Sequence, residues 1–349
     1  MTNFSFKPLR EQVIAITGAS SGIGLATARA AAKQGARLVL ISRNDEVLAK
    51  TVQEIEEQGG MALHVVADVG RRGELQQAAV TAVARFGRID TWVNNAGVAI
   101  FGKIEDVSDE DHQKLFQTNF WGTVYGSLVA LPYLKRQGGS LINVGSVVSD
   151  QAVPLQGMYS ASKHAVKGFT DALRMELAEE GAPISVTLIK PAAIDTPYPQ
   201  HARNYLPKEP KLPAPVYSPE EVAHAILFAA THAKRDIYVG GGGRGMSLMN
   251  RIAPQLMDQF GSKLLTKQQT RNEPPRNPAG ALHQAGNDGR VKGDHPGYVM
   301  RTSLYTRSSL HPALSAALVV GTGALTIALL KRQSADQRFL RARRKLEIS

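Results

Sequence analysis

The sequence predicts an α/β fold: a doubly wound, Rossmann-like sheet of seven parallel strands with helices on both faces. Short apolar runs alternate with segments of helical periodicity from residue 13 to residue 240, and a glycine-rich loop joins the first run to the first helix. Strands linked by intervening helices pair in parallel. The alternation stops after Gly240, which indicates an extension outside this fold.

The individual elements follow from the two periodicities. Strands are assigned to runs rich in Val, Ile and Leu, and helices to longer stretches with apolar residues three and four positions apart. The predicted strands are 13–17, 37–42, 61–67, 89–95, 140–146, 184–190 and 236–240, and the predicted helices begin at Gly22 and then cover 46–58, 72–86, 109–136, 157–180 and 219–232.

Composition and charge exclude several classes of functional site. The chain has no cysteine, which excludes disulfides, thiolate metal sites and cysteine nucleophiles, and its histidines form no HExxH-like pair, so no metal site is predicted. Residues 1–243 contain 24 Lys and Arg against 24 Asp and Glu, whereas residues 244–349 contain 17 against 6. The neutral first part is typical of an enzyme. It opens without a secretory signal, so we expect the catalytic domain to be cytoplasmic.

The segment TGASSGIG, residues 17–24, predicts a nucleotide-binding loop. It follows the first strand and opens the first helix, so its glycines let backbone N–H groups approach a pyrophosphate at the positive end of that helix. A tight strand-to-helix turn without a ligand is the alternative. The predicted cofactor contacts here are Gly18, Ser20, Ser21, Gly22, Ile23 and Gly24.

The end of the second strand favours NADP(H) over NAD(H). A carboxylate there would bind the ribose 2′-hydroxyl, and a guanidinium would pair with a 2′-phosphate. Ser42 is the last residue of the strand, Arg43 follows it directly, and Asp45 lies further on. NAD(H) stays the alternative cofactor, and a solvated surface charge is the alternative role for Arg43.

Two further strand ends carry cofactor candidates. Asp68 and Val69 follow the third strand, where they could meet the adenine, although Asp68 could equally cap the next helix. The segment NNAG, residues 94–97, follows the fourth strand, and its small residues suit a backbone close to a nucleotide. A plain turn is the other interpretation. The predicted contacts are Asp68, Val69, Asn95, Ala96 and Gly97.

Tyr159 and Lys163 form the predicted catalytic pair. Four positions apart on one helix, their side chains lie on the same face. A nearby ammonium favours the phenolate, so we expect Lys163 to bring the pKa of Tyr159 towards neutrality. Ser146, at the end of the fifth strand, could bind the reacting oxygen. Asn119 interrupts an apolar helical pattern and could hold a water molecule near Lys163.

Together these residues resemble the short-chain dehydrogenase/reductase family over residues 10 to about 243. The shared features are the TGxxxGxG loop, the NNAG segment and an Asn-Ser-Tyr-Lys set. The resemblance implies that Tyr159 exchanges the proton, Ser146 steadies the substrate oxygen, Lys163 binds the nicotinamide ribose, and Asn119 positions a relay water.

The resemblance also assigns the loop after the sixth strand to the nicotinamide. Its contacts would be Pro191, Ile194 and Thr196, although Ala192 stands where the family usually has glycine. The proline-rich residues 197–216 occupy the position of the family's substrate loop. Tyr198, Tyr205 and Leu206 suggest an apolar pocket there, with exposed loop aromatics as the alternative.

The remaining chain is predicted as a linker, an apolar helix and a tail. Residues 244–312 are rich in Gly, Pro, Asn and Arg, and we expect loose order apart from an amphipathic helix over 246–265 that packs against the enzyme. Residues 313–330 carry no charge, and this uncharged stretch has the minimum length for a transmembrane helix. Residues 331–349 are basic. A single-pass anchor, a shallow or hairpin membrane association and a protein-buried or self-associating helix all fit residues 313–330.

The sequence thus predicts an NADP(H)-dependent oxidoreductase that interconverts an alcohol and a carbonyl compound, lipophilic if the membrane interpretation holds. A non-catalytic nucleotide-sensing or scaffold protein with the same fold is the alternative. A small molecule is the expected partner, and a homo-oligomer is left open. The basic tail has few aromatic residues and no nucleic-acid-binding motif, so nucleic acid is not expected.

Overall fold

The central element is a seven-stranded parallel sheet. The computed structural model describes residues 5–286 and 289–311. The order across the sheet is β11-β7-β6-β4-β1-β2-β3, which confirms the predicted doubly wound topology. The strands are β1 Val13–Thr17, β2 Arg37–Ser42, β3 Met61–Val66, β4 Thr91–Asn94, β5 Ile100–Phe101, β6 Gly139–Val144, β7 Ile184–Pro191, β8 Ala193–Ile194, β9 Arg203–Asn204, β10 Val216–Tyr217, β11 Asp236–Val239 and β12 Val299–Met300.

Helices connect successive strands of this sheet, and four further helices follow its last strand within the described residues. Every pairing within it is parallel, so the carboxyl ends of its strands share one edge. The helices are α1 Gly22–Ala32, α2 Asp45–Glu57, α3 Arg72–Phe86, α4 Asp109–Phe116, α5 Gly122–Gln137, α6 Gly157–Glu179, α7 Tyr198–His201, α8 Pro219–Ala229, α9 Gly241–Ile252, α10 Pro254–Leu256, α11 Ser262–Gln268 and α12 Leu304–Leu310.

The sheet is buried on both faces. Val13 and Ala15 of β1 belong to a core cluster that includes residues of α3, α5 and α6. Ile14 and Ile16 are also fully buried but lie outside this cluster. Because alternate residues of a strand face opposite sides, the second pair faces the other layer, where α1 packs against α8. Burial on both sides explains why the strands read as unbroken apolar runs.

The predicted helix over 109–136 is interrupted. Between α4 and α5, residues Gln117–Trp121 form one π-helical turn that contains Asn119. Inserted π turns are frequent at functional sites, because they turn a side chain out of the regular helical register. The sequence signalled this position only as a polar residue in an apolar pattern.

The chain after Gly240 differs from the expected loose linker. The predicted helix over 246–265 is replaced by α9, α10, a π-helical turn at Met257–Gly261, and α11. Residues 269–286 and 289–303, called the returning segment below, run back along the part of the chain that contains the seven-stranded sheet, and Met1–Thr306 forms one compact unit. Within the described part of the chain, no helix is long and apolar enough to cross a membrane. The predicted apolar helix 313–330 lies outside the described residues.

Candidate active site

Two adjoining clefts open at the carboxyl edge of the sheet. The first has a cavity volume of about 200 Å³ and the second about 240 Å³. Ile23, Asn95, Gly97, Thr196 and Tyr198 line both, so the clefts meet. Of the predicted cofactor residues, the first cleft is lined by Gly18, Ser20, Ser21, Gly22, Ile23, Arg43, Asp68, Val69, Asn95, Ala96, Gly97 and Thr196.

Close backbone packing shapes the first cleft. Gly18 has a φ of +66°, which a side chain would strain. A Cβ on Gly24 would lie 2.1 Å from the carbonyl oxygen of Gly18, so Gly24 serves the contact between helix and strand and lines neither cleft. The Asn95 amide donates to the carbonyls of Thr17 (2.9 Å) and Gly18 (3.2 Å), which joins the NNAG segment to the glycine loop.

Arg43 and Asp68 both line this cleft. The Asp68 carboxylate accepts hydrogen bonds from Lys114 (2.8 Å) and the Gly70 N–H (2.9 Å). Burial opposes its ionisation, but these bonds, with the charges of Lys114 and Arg43, hold the pKa of Asp68 below its usual value. Burial lowers the pKa of Arg43 from that of a free guanidinium, and the charge of Asp68 counters this effect. Arg43 is therefore no freely solvated surface charge.

The returning segment covers Arg43 and reaches the glycine loop. Arg43 donates to four successive backbone carbonyls, and Asn44 Nδ2 donates to the carbonyl of Gly286 (2.8 Å). The Gly22 N–H donates to the carbonyl of Arg290 (2.9 Å). The extension is thus part of the wall of the first cleft, which the sequence did not predict.

Tyr159 and Ser146 lie in the second cleft, where the walls are mainly apolar. Burial raises the pKa of Tyr159 above its usual value, and hydrogen bonds with Tyr198 and Ser146 act in the opposite direction. The expected lowering by Lys163 is not found, because its ammonium lies 5.8 Å from the centre of the Tyr159 ring and burial outweighs the other effects. Ser146 Oγ accepts a hydrogen bond from the Val148 N–H (3.2 Å) at the end of β6.

Lys163 and Asn119 flank the NNAG segment. Lys163 is 4% exposed and donates to the carbonyl of Val144 (2.9 Å), and burial lowers the pKa of its ammonium to about 8. Asn119 is fully buried; it accepts from the Val98 N–H (2.8 Å) and donates to the Val98 carbonyl (3.0 Å). A Cβ on Gly97 would lie 3.4 Å from Asn119 Oδ1 and 3.7 Å from Lys163 Nζ, so Gly97 separates them.

The first cleft has the character of a dinucleotide site. It begins at the amino end of α1, where helix polarity favours an anion. Among the described residues, Thr118 Oγ1 is buried without a hydrogen-bond partner, and Thr118 lines this cleft. Gly18 allows close approach by a ligand at a turn that a side chain would obstruct. These features fit a nicotinamide dinucleotide.

The remaining sequence-predicted residues divide between the second cleft and the interior. Pro191, Ile194, Ser146, Tyr159 and Lys163 line the second cleft. Asn119 lies behind the cleft walls. Of the three loop residues proposed for a substrate pocket, only Tyr198 lines a described cleft.

Tyr205 and Leu206 do not form part of that pocket. The Tyr205 hydroxyl donates instead to Asp111 (2.8 Å), and Leu206 packs in an apolar cluster with Phe101. The sequence also gave no signal for two buried glutamines, Gln156 and Gln269, which line the second cleft. Only their contacts in the folded chain distinguish them from surface residues.

Comparison with known proteins agrees with this geometry. Residues 12–206 match the family model for short chain dehydrogenase. The uncharacterized oxidoreductase YxnA of Bacillus subtilis is 45% identical over 325 residues, covering 92% of this chain and 91% of its own. An alignment of that length includes most of the chain beyond Gly240.

Two solved structures share the fold. A short chain dehydrogenase/reductase from Burkholderia phymatum in complex with NAD has a TM-score of 0.64 at 26% identity and covers 73% of this chain and 96% of its own. An alcohol dehydrogenase from the archaeon Thermococcus sibiricus, complexed with 5-hydroxy-NADP, has a TM-score of 0.58 at 27% identity, covering 65% and 95%. The chain belongs to the short-chain dehydrogenase/reductase family and is an oxidoreductase with a nicotinamide cofactor.

Proposed function

We propose that this oxidoreductase interconverts an alcohol and a carbonyl compound with NADP(H), using Tyr159 as the acid and base. The observation that carries the proposal is the meeting of Tyr159, Ser146 and Lys163 beside Gly97, where the two clefts join. The preference for NADP(H) is supported by Arg43, which lines the first cleft after a strand that ends without a carboxylate. A bound nicotinamide would supply the hydride donor or acceptor.

The side chains divide the proton chemistry among them. Tyr159 gives its hydroxyl proton to the oxygen of a carbonyl substrate, or takes the proton of an alcohol, and Ser146 Oγ holds the same oxygen by a hydrogen bond. Lys163 is buried in the wall of the same cleft, where its ammonium would bind the ribose of the nicotinamide nucleotide. The Asn119 side chain holds the backbone of Val98 next to this group.

The second cleft supports a lipophilic substrate. Its walls include the aliphatic side chains of Val147, Val148, Leu212 and Leu265, with the polar groups of Ser146 and Tyr159 at one point. A cleft with apolar walls and a few convergent polar groups orients an apolar molecule by its single oxygen. We therefore propose an uncharged ketone or aldehyde of mainly hydrocarbon character, or the corresponding alcohol.

A substrate screen with both cofactors tests the proposal. Cyclohexanone, decanal and acetophenone would be compared with pyruvate at matched concentrations, following the oxidation of NADPH and of NADH. We expect turnover of the uncharged compounds with NADPH. Turnover of pyruvate alone would contradict the substrate class, and cofactor binding without turnover of any compound would favour the non-catalytic alternative.

Membrane association through residues 313–330 and a cytoplasmic catalytic domain remain proposals based on sequence. Fractionation of cells that express residues 1–349 or residues 1–312 tests them. Full-length protein in the membrane fraction and shortened protein in the cytosol would support attachment. Full-length protein in the cytosol would contradict it.

A further inference from the structure

A chain of buried side chains connects the active site to the returning segment. The Tyr198 ring packs edge to face on Tyr159, with 5.5 Å between the ring centres. The Tyr198 hydroxyl donates to Gln156 Oε1 (2.7 Å), and Gln156 Nε2 donates to Gln269 Oε1 (2.6 Å). Gln156 is 9% exposed and Gln269 is 1% exposed. A residue 110 positions beyond Tyr159 is thus hydrogen-bonded, through Gln156, to the aromatic neighbour of the Tyr159 ring.

The contacts of Gln269 determine which atoms donate and which accept along this series of hydrogen bonds. Gln269 Nε2 donates to the backbone carbonyls of Pro154 (3.0 Å) and Leu265 (3.2 Å), and a carbonyl can only accept. A flipped Gln269 amide would place its oxygen against these two oxygens. Gln269 Oε1 therefore faces Gln156 Nε2, which leaves Gln156 Oε1 as the acceptor for the Tyr198 proton.

We propose that Gln269 is a positioning residue that acts through Gln156 to turn the hydroxyl proton of Tyr198 away from Tyr159. Tyr198 can stabilise a Tyr159 phenolate only by donating its own proton to it, and Gln156 competes for that proton. The hydroxyl of Tyr159 would then be less acidic than it would be if Tyr198 donated its proton to it. A residue beyond the catalytic domain would control this acidity.

The other titratable groups near Tyr159 do not prevent the Tyr198 proton from influencing its acidity. Lys163 faces Tyr159 from the same helix. His112 of α4 lines a small cavity together with Tyr159, and Tyr205 packs in an apolar cluster that includes Tyr159. Burial, then the nearby Tyr159, raise the pKa of Tyr198 well above its usual value, so Tyr198 keeps a proton that it can donate. The acidity of Tyr159 should therefore respond to the orientation of that proton.

The test measures the ionisation of Tyr159 in the full-length protein saturated with NADP⁺. Tyrosine labelled with carbon-13 at Cζ gives a chemical shift that reports ionisation, and Tyr159→Phe identifies the signal. We expect Gln269→Met to lower the titration midpoint by about one pH unit, the approximate value of one hydrogen bond to a charged group. In a Tyr198→Phe background the same substitution should produce no shift, because no proton remains to be redirected.

The controls separate positioning from folding and from the proposed function. Gln268→Met changes the neighbouring residue of α11 and should leave the midpoint unchanged. If Gln269→Met does not fold, Gln156→Met removes the acceptor directly and should lower the midpoint in the same way. An unchanged midpoint, or an equal shift in the Tyr198→Phe background, would overturn the inference. The chemical-shift titration requires no turnover, so it tests the positioning role even if the proposed substrate class is wrong.

Discussion

The guanidinium of Arg43 donates a 2.6 Å hydrogen bond to the backbone carbonyl of Ala281, although 238 positions separate the two residues. The carbonyls of Leu282, His283 and Gln284 complete an arc around the same cation at 2.9 to 3.4 Å. Carbonyl oxygens carry partial negative charge, so an anion cannot share this arc without repulsion. These bonds come from the two terminal nitrogens of the guanidinium, so a 2′-phosphate that paired with these nitrogens would compete with the returning segment for one side chain.

Arg43→Ala should loosen the turn at residues 281–284 and remove the preference for NADPH. Each carbonyl that loses its donor while buried costs about 1 to 3 kcal/mol, so local opening should increase tenfold or more. Amide hydrogen exchange across 281–286 measures this opening. The dissociation constant for NADPH should rise about tenfold or more, since a charge-assisted pair is lost, while that for NADH changes less.

Arg37→Ala is the matched control for removal of a guanidinium. Arg37 begins β2, the strand that Arg43 follows, and it donates to the carbonyl of Glu11 at the exposed surface. It should alter neither exchange at 281–286 nor the ratio of the two dissociation constants. Unchanged protection in Arg43→Ala would contradict the anchoring role, and equal weakening of both cofactors would contradict a contact with the 2′-phosphate.

Tyr159→Phe should abolish turnover without loss of cofactor. Removing a general acid and base typically lowers the rate by about 10² to 10⁴-fold, and the ring that packs against Tyr198 stays in place. Steady-state rates and fluorescence titration with NADPH provide the two measurements. Tyr205→Phe removes a hydroxyl that binds Asp111 outside both clefts, so it should keep its rate. A similar loss in both variants would argue against a specific role for Tyr159.

The sequence predicted the parts of this site that depend on local pattern. Strand ends share one edge of a parallel sheet, so periodicity and topology suffice to bring Gly18, Asn95 and Tyr159 to one place. Contacts of the returning segment do not follow from a local pattern, because they join residues far apart in the sequence. Gln156 and Gln269 are 113 positions apart, and neither residue type indicates burial. Periodicity carries no information about such pairings, so the contacts of the extension became visible only in the structure.

Gly24→Ala should destabilise the protein and weaken cofactor binding. The new Cβ would lie 2.1 Å from the carbonyl oxygen of Gly18, and backbone cannot yield as a flexible side chain does. Forcing an atom into a packed interior costs typically about 1 to 3 kcal/mol, and here the movement would displace the glycine loop itself. Urea denaturation and NADPH titration measure the two effects.

Gly73→Ala is the matched control for this substitution. Gly73 lies in α3, and a Cβ there meets nothing within 4 Å. Alanine is the better helix former, so this variant should be more stable by about 0.4 to 1 kcal/mol. Equal stability of the two variants would contradict the close contact between Gly24 and Gly18.

Lys163→Met should change how stability depends on pH. Burial lowers the pKa of Lys163 to about 8 in the folded chain from 10.5. Between these values the unfolded chain binds more protons, so the wild-type free energy of unfolding rises with pH. The cost of burying the ammonium is thus fully present below pH 8 and fades towards pH 10.5. Over that window the wild type should gain up to roughly 3 kcal/mol relative to Lys163→Met, because one pKa unit corresponds to about 1.4 kcal/mol.

Urea denaturation of both proteins from pH 7 to pH 10.5 measures this difference, since ionisation of other groups affects them alike. Lys167→Met removes a charge one turn along the same helix and is the matched control. The direction of the change in relative stability distinguishes two cases. If Lys163 formed a favourable ion pair, the stability of the wild type relative to Lys163→Met would fall as pH rises. If its ammonium is desolvated, this relative stability rises. A wild-type advantage that falls between pH 8 and pH 10.5 would therefore show that Lys163 is stabilised as a cation before any cofactor binds.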